Sequence, residues 1–125
     1  MKPLKKIIVV DDVAEYVDSL ARALSLQYDV VKAYSLQEAK KKMDSSIQLA
    51  LVDVRLSEED FTNRDGLIFL SWVKENFPDT PVLIMSAYRD FEAAVEAMNL
   101  GASYFIKKPI NLKELRELIE KYIKG

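Results

Sequence analysis

The sequence predicts an α/β fold: a five-stranded parallel sheet with five helices, packed as three layers. Two observations lead there. Short apolar runs alternate with stretches of helical apolar spacing along the whole chain, five of each. The short runs are continuously apolar rather than alternating, as strands covered on both faces require.

The elements follow in order. Ile7 to Val10 is a β-branched run and the first strand. Val13, Val17, Leu20, Ala21 and Leu24 recur at helical spacing. Val30-Val31 marks the second strand, and Ser35 with Glu38 gives a capping-box pattern opening the second helix. Leu49 to Val52 is the third strand. Leu67 to Phe77 is the third helix, stopped by Pro78. Pro81 to Met85 forms the fourth strand. Asp90 is the expected cap of a fourth helix with Phe91, Val95 and Met98 on one side, and Gly101 ends it. Tyr104 to Ile106 is the fifth strand. Asn111 with Glu114 opens the last helix, striped by Leu112, Leu115, Leu118, Ile119, Tyr122 and Ile123.

Length and composition bound the function. The 125 residues fit one domain, residues 1–125. Basic and acidic residues number 18 and 20 and are interspersed, for a net charge of −2. No basic stripe for direct nucleic-acid binding is apparent. There is no cysteine and no histidine, which excludes thiolate metal sites, His-ligated zinc and Ser-His-Asp or Cys-His catalysis. No apolar run approaches a signal-peptide core or a membrane span, so a cytoplasmic location is expected.

Ligands of parallel α/β sheets bind beyond the carboxyl ends of the strands. Asp11 and Asp12 follow the first strand, Asp53 ends the third, Ser86 ends the fourth and Lys108 follows the fifth. In the flavodoxin-like order 2-1-3-4-5, adopted here by analogy, the three carboxylates converge. Two like charges 4 Å apart repel by about 4 kcal/mol at an effective dielectric of 20, so the cluster needs a cation. Mg²⁺ suits such oxygen ligands. An aspartate between Mg²⁺ and a lysine can attack phosphorus, with a hydroxyl such as that of Ser86 assisting. Taken singly each residue has a blander role: Asp12 as the N-cap of the first helix, Asp53 and Ser86 as turn residues, Lys108 as a solvated charge. The combination, in this order along the strands, is what points to phosphoryl chemistry.

The motifs Val9-Val-Asp-Asp12, Leu51-Val-Asp-Val-Arg55, Asp65-Gly-Leu67, Ile84-Met-Ser-Ala-Tyr88 and Phe105-Ile-Lys-Lys-Pro109 resemble those of receiver domains of bacterial two-component response regulators. The stretch Ala94 to Met98 followed by Leu100-Gly-Ala102 resembles the nitrogen-regulation-type activators. The resemblance implies a phosphorelay switch, not an enzyme with turnover: it catalyses only its own phosphoryl transfer and dephosphorylation. Asp53 would accept the phosphoryl group from a sensor histidine kinase. Asp11, Asp12, Asp53 and the backbone carbonyl of Arg55 would hold Mg²⁺. Lys108, before a cis Pro109, would pair with the phosphate, and Ser86 and Phe105 would switch. The resemblance further implies control of an output domain or protein through the fourth helix, fifth strand and fifth helix, with homodimerisation on phosphorylation as one outcome.

Three departures stand out. Phe105 replaces a common tyrosine, the stretch from Asp53 to Asp65 is about five residues longer than usual in the resembling family, and Ser57 stands where a proline is frequent. In the long loop, Glu58, Glu59 and Asp60 are expected to face solvent and Phe61 to fold back as an anchor. The alternatives are a pseudo-receiver that is never phosphorylated, or another enzyme on a similar sheet. Haloacid-dehalogenase-like phosphatases place their nucleophile after the first strand in an Asp-x-Asp pattern, which Asp11-Asp-Val-Ala14 does not match. A flavin mononucleotide site wants a phosphate loop there, where two aspartates would repel it.

Overall fold

A computed structural model describes residues 3–57, 59–60, 62–87 and 91–123, and for Phe91 the backbone alone. Strands and helices alternate without exception: β1 Lys5–Val10, α1 Ala14–Leu24, β2 Tyr28–Ala33, α2 Leu36–Lys42, β3 Ile47–Asp53, α3 Asp65–Asn76, β4 Val82–Ser86, α4 Phe91–Asn99, β5 Tyr104–Lys107 and α5 Leu112–Tyr122. All neighbouring strands pair in parallel, in the order β2-β1-β3-β4-β5. This is the expected fold.

Each central strand serves two cores, because successive side chains point to opposite faces. Ile8, Val10, Val52 and Ile84 pack with Ala39, Phe69, Leu70, Val73, Ala93 and Ala97, so α2, α3 and α4 cover one face. Ile7, Val9, Leu51 and Met85 pack with Val17, Leu24, Leu115 and Ile119, so α1 and α5 cover the other. That double demand is why the strands are continuously apolar. The edge strands β2 and β5 are exceptions, β5 ending in the exposed Lys107. β2 is longer than Val30-Val31 because polar Asp29 and Lys32 also belong to it.

Helix boundaries follow local chemistry. Ser35 Oγ accepts a bond from Glu38 N at 3.1 Å, and the Glu38 carboxylate reaches back to Tyr34 N at 2.9 Å. Asn111 caps α5 through Glu114 N at 3.1 Å. Gly101 ends α4 with φ +102°, a left-handed conformation that favours glycine. The start of α1 differs from the capping role open to Asp12. The residue at the cap is Val13, with no side-chain bond of its own, and Val13 N donates instead to Asp11 Oδ1 at 3.1 Å. Asp12 is thereby left to the site. The cap expected at Asp90 lies outside the described residues.

In α4 Val95 and Met98 face away from the sheet. Val95 is 60 % and Met98 48 % exposed, while Ala93 and Ala97 are fully buried. The helix therefore seats on alanines. Among the described residues no helix is long and apolar enough to cross a membrane.

Candidate functional site

Parallel pairing brings the ends of β1, β3, β4 and β5 to one rim. Asp11 leaves β1 and is held by its N–H, which donates to Ala33 O at 3.2 Å. Asp53 is the last residue of β3, in register with Met85, and Ser86 follows Met85 as the last residue of β4. Beyond β5, Lys108 N donates to Ser86 O at 2.8 Å, and the Lys108–Pro109 peptide is cis, as expected. The hydrogen bond from Lys108 N to Ser86 O anchors the backbone from which the lysine side chain enters the site.

Its ammonium group bridges two carboxylates. Lys108 Nζ donates to Asp11 Oδ2 at 2.8 Å and to Asp53 Oδ2 at 3.2 Å. Asp11 is fully buried and Asp53 nearly so. Carboxylate oxygens of Asp11, Asp12 and Asp53 all lie within 4.8 Å of one another. Lys107 is exposed, and alternation along the chain points it opposite to Lys108, which enters the cluster.

The electrostatics follow from burial and crowding. Burial, reinforced by the charge of Asp11 and only partly opposed by Lys108, pushes the Asp53 carboxyl up to about 7. Burial pulls Lys108 down, but the attraction of Asp53 and Asp11 outweighs it, so the ammonium is held above its ordinary value. One lysine thus leaves the three acids short of positive charge. The all-oxygen donor set, with its crowded carboxylates, fits a hard divalent cation, and the triad can hold a metal ion.

The rim meets α3 closely. Gly66 N donates to Val54 O at 2.9 Å. A Cβ on Gly66 would stand 1.8 Å from the carbonyl oxygen of Asp53. Only glycine lets the start of α3 press on the backbone of the site.

A match to the response regulator receiver domain model over residues 7–120 decides the family. The chain belongs to the response regulator receiver domains. Phosphorylation-based switching is the role of that family. It is 36 % identical to the transcriptional regulatory protein ZraR of Salmonella typhimurium over 117 residues, 92 % of this chain and 25 % of that protein. It is also 36 % identical to the DNA-binding transcriptional regulator NtrC of Proteus hauseri, over 83 % of this chain and 19 % of that protein. The chain thus spans about a quarter or less of these relatives. Among solved structures, the receiver domain of NtrX from Brucella abortus matches with a TM-score of 0.81 at 31 % identity, covering 93 % of this chain and 96 % of that one. A CheY-like receiver domain protein from Methanospirillum hungatei matches with a TM-score of 0.85 at 29 % identity, covering 95 % and 93 %. The likeness to nitrogen-regulation-type activators read from the sequence is borne out by these relatives.

The receiver domain places its remaining residues of interest as follows. Phe105 pairs with Ile84 across the β4–β5 ladder and is half-buried against the α2–α3–α4 core. Arg55 is half-buried on the loop leaving β3. In that loop Leu56 is buried, and Asn63 Oδ1 accepts bonds from Leu56 N and Asp65 N, both at 2.9 Å. Glu59 and Asp60 are exposed, while Glu58 and Phe61 lie outside the described residues.

Sequence reasoning overlooked two residues. Asn63 draws the two ends of the long loop together, a role that an Asn two residues before a helix start could have suggested. Tyr16, in the first turn of α1, lays its ring 4.2 Å from Lys108 Nζ. Its signal was slight: an aromatic four residues after Asp12, on the helix that starts beside the site.

Proposed function

We propose that Asp53 is the phosphoryl acceptor of this receiver domain and that Asp11 and Asp12 hold a Mg²⁺ ion beside it, aided by Asp53 and the carbonyl of Arg55. The observation that carries this is the bridge of Lys108 to Asp11 and Asp53, with Asp12 in the same cluster. A carboxylate oxygen of Asp53 attacks the phosphorus, the bond from phosphorus to the donor breaks, and the donor leaves with that bonding pair. Bound Mg²⁺ supplies charge neutralisation of the phosphoryl oxygens. Lys108 moves its contact from the Asp53 carboxylate to a phosphoryl oxygen. Ser86, buried at the end of β4, donates its hydroxyl to another. The domain catalyses only its own modification and hydrolysis.

The donor in this reading is a sensor histidine kinase, as membership in the response regulator receiver domains implies. Withdrawal of the Ser86 hydroxyl toward the phosphate opens room for Phe105, which carries no hydroxyl to keep hydrated. The α4–β5–α5 surface then reports the change to an output partner or domain, as a shift between two populated states. The test is incubation with a small phosphodonor and Mg²⁺ followed by intact mass measurement. Asp53→Asn should abolish the adduct. Undiminished modification mapped to another residue would sink the assignment, and no modification of the wild type would favour the pseudo-receiver reading.

A further inference from the structure

We propose that Tyr16 is a positioning residue for Lys108: its ring is the fixed seat on which the ammonium turns from carboxylate to phosphoryl oxygen. This rests on the role given to Lys108 above. An ammonium has three N–H donors. Two of them go to Asp11 Oδ2 and Asp53 Oδ2. The Tyr16 ring, its centroid 4.2 Å from Nζ, takes the remaining side of the group, well within the range of cation–π attraction. The lysine side chain is only 14 % exposed, so water competes little for that position.

The three contacts differ in what phosphorylation does to them. Asp53 loses its charge when its oxygen bonds to phosphorus. Asp11 would be shared with a bound metal ion. The ring keeps its charge distribution and its place. That place is set by the site itself, because Asp11 anchors both partners: Oδ1 accepts from Val13 N at the start of α1, and Oδ2 accepts from Lys108 Nζ. Tyr16 N then donates to Val13 O at 3.0 Å, fixing the first turn. The Tyr16 hydroxyl is buried and makes no hydrogen bond among the described residues, so the ring face is what the residue contributes. Holding Nζ in place before the donor arrives removes orientational freedom that transfer would otherwise have to freeze.

The test is the rate of Mg²⁺-dependent phosphorylation by a small phosphodonor, read by intact mass. Tyr16→Phe keeps the ring and should stay within about twofold of wild type, since it deletes only an unbonded hydroxyl. Tyr16→Leu removes the ring and should slow the reaction about tenfold, ~1.4 kcal/mol. Tyr16→Met, which fills irregular space, should match it if the leucine variant folds poorly. In a Lys108→Ala background, Tyr16→Leu should cost nothing further. In the wild type, NMR should find the Lys108 ε-methylene protons shifted upfield by the ring. Ordinary shifts there, wild-type rates in the leucine and methionine variants, a phenylalanine variant as slow as the leucine one, or additive losses in the double variant would each overturn the proposal. Wild-type rates in Lys108→Ala would instead overturn the reading of the site beneath it.

Discussion

Asp53 burdens the metal-free fold, and removing its charge should stabilise it. Its folded carboxyl is pushed up to about 7 from an ordinary 3.8. A raised carboxyl means that the proton favours the folded state. Its contribution is present in full below about 3.8 and is lost as pH rises through about 7. At about 1.36 kcal/mol per pKa unit the gap sets a ceiling of ~4 kcal/mol. The charges of Asp11 and Lys108 act on this carboxyl in opposite directions, and an asparagine must satisfy its own amide, so about half that ceiling is expected. Asp53→Asn should therefore be about 2 kcal/mol more stable than wild type at pH 8 in chelator, with the gap less than half as large at pH 5. For a chain of 125 residues this is roughly 8 °C in Tm. Urea unfolding at the two pH values, with and without Mg²⁺, is the assay, and the metal should narrow the gap by stabilising the wild type, with its extra carboxylate ligand, more than the variant. A variant no more stable than wild type at pH 8, or a gap indifferent to pH, would refute the reasoning.

Two further outcomes follow from the same rim. Gly66→Ala places a Cβ against the Asp53 carbonyl, a backbone atom that cannot swing away, and should cost about 3 kcal/mol by thermal or urea unfolding. An equally stable alanine variant would mean that α3 does not press on the site. Lys107→Ala should change stability by less than about 0.5 kcal/mol, because that side chain is exposed. Lys108→Ala should cost about 3 kcal/mol at pH 8 without metal, because it strands two buried carboxylates; equal effects of the two lysines would place the wrong one in the site.

The fold was legible because each central strand is a short apolar run that needs two covers, as Ile7 to Val10 illustrates by dividing its side chains between both cores. The strand ends were legible for the same reason, since the last apolar residue of β1, β3 and β4 is followed at once by Asp11, Asp53 and Ser86. Three features were not. The seat of α4 was obscured because hydrophobic spacing draws attention to Val95 and Met98, whereas close approach to a sheet selects small residues such as Ala93 and Ala97. The role of Asp12 was divided between cap and site, since an aspartate before a helix serves both chemistries. Tyr16 gave no pattern of its own, because its partner lies 92 residues away and only the closed sheet brings them together.

The alanine seat of α4 makes the armour of the sheet uneven. Opposite it, α5 is keyed into its face by Leu115 and Ile119, side chains whose withdrawal would leave holes of real volume. Ala93 and Ala97 offer only methyl groups, shallow ridges over which a helix can slide or tilt at small cost. α4 is therefore a plate of this shell less firmly keyed than α5, and its amide protons should exchange with solvent sooner than those of α5.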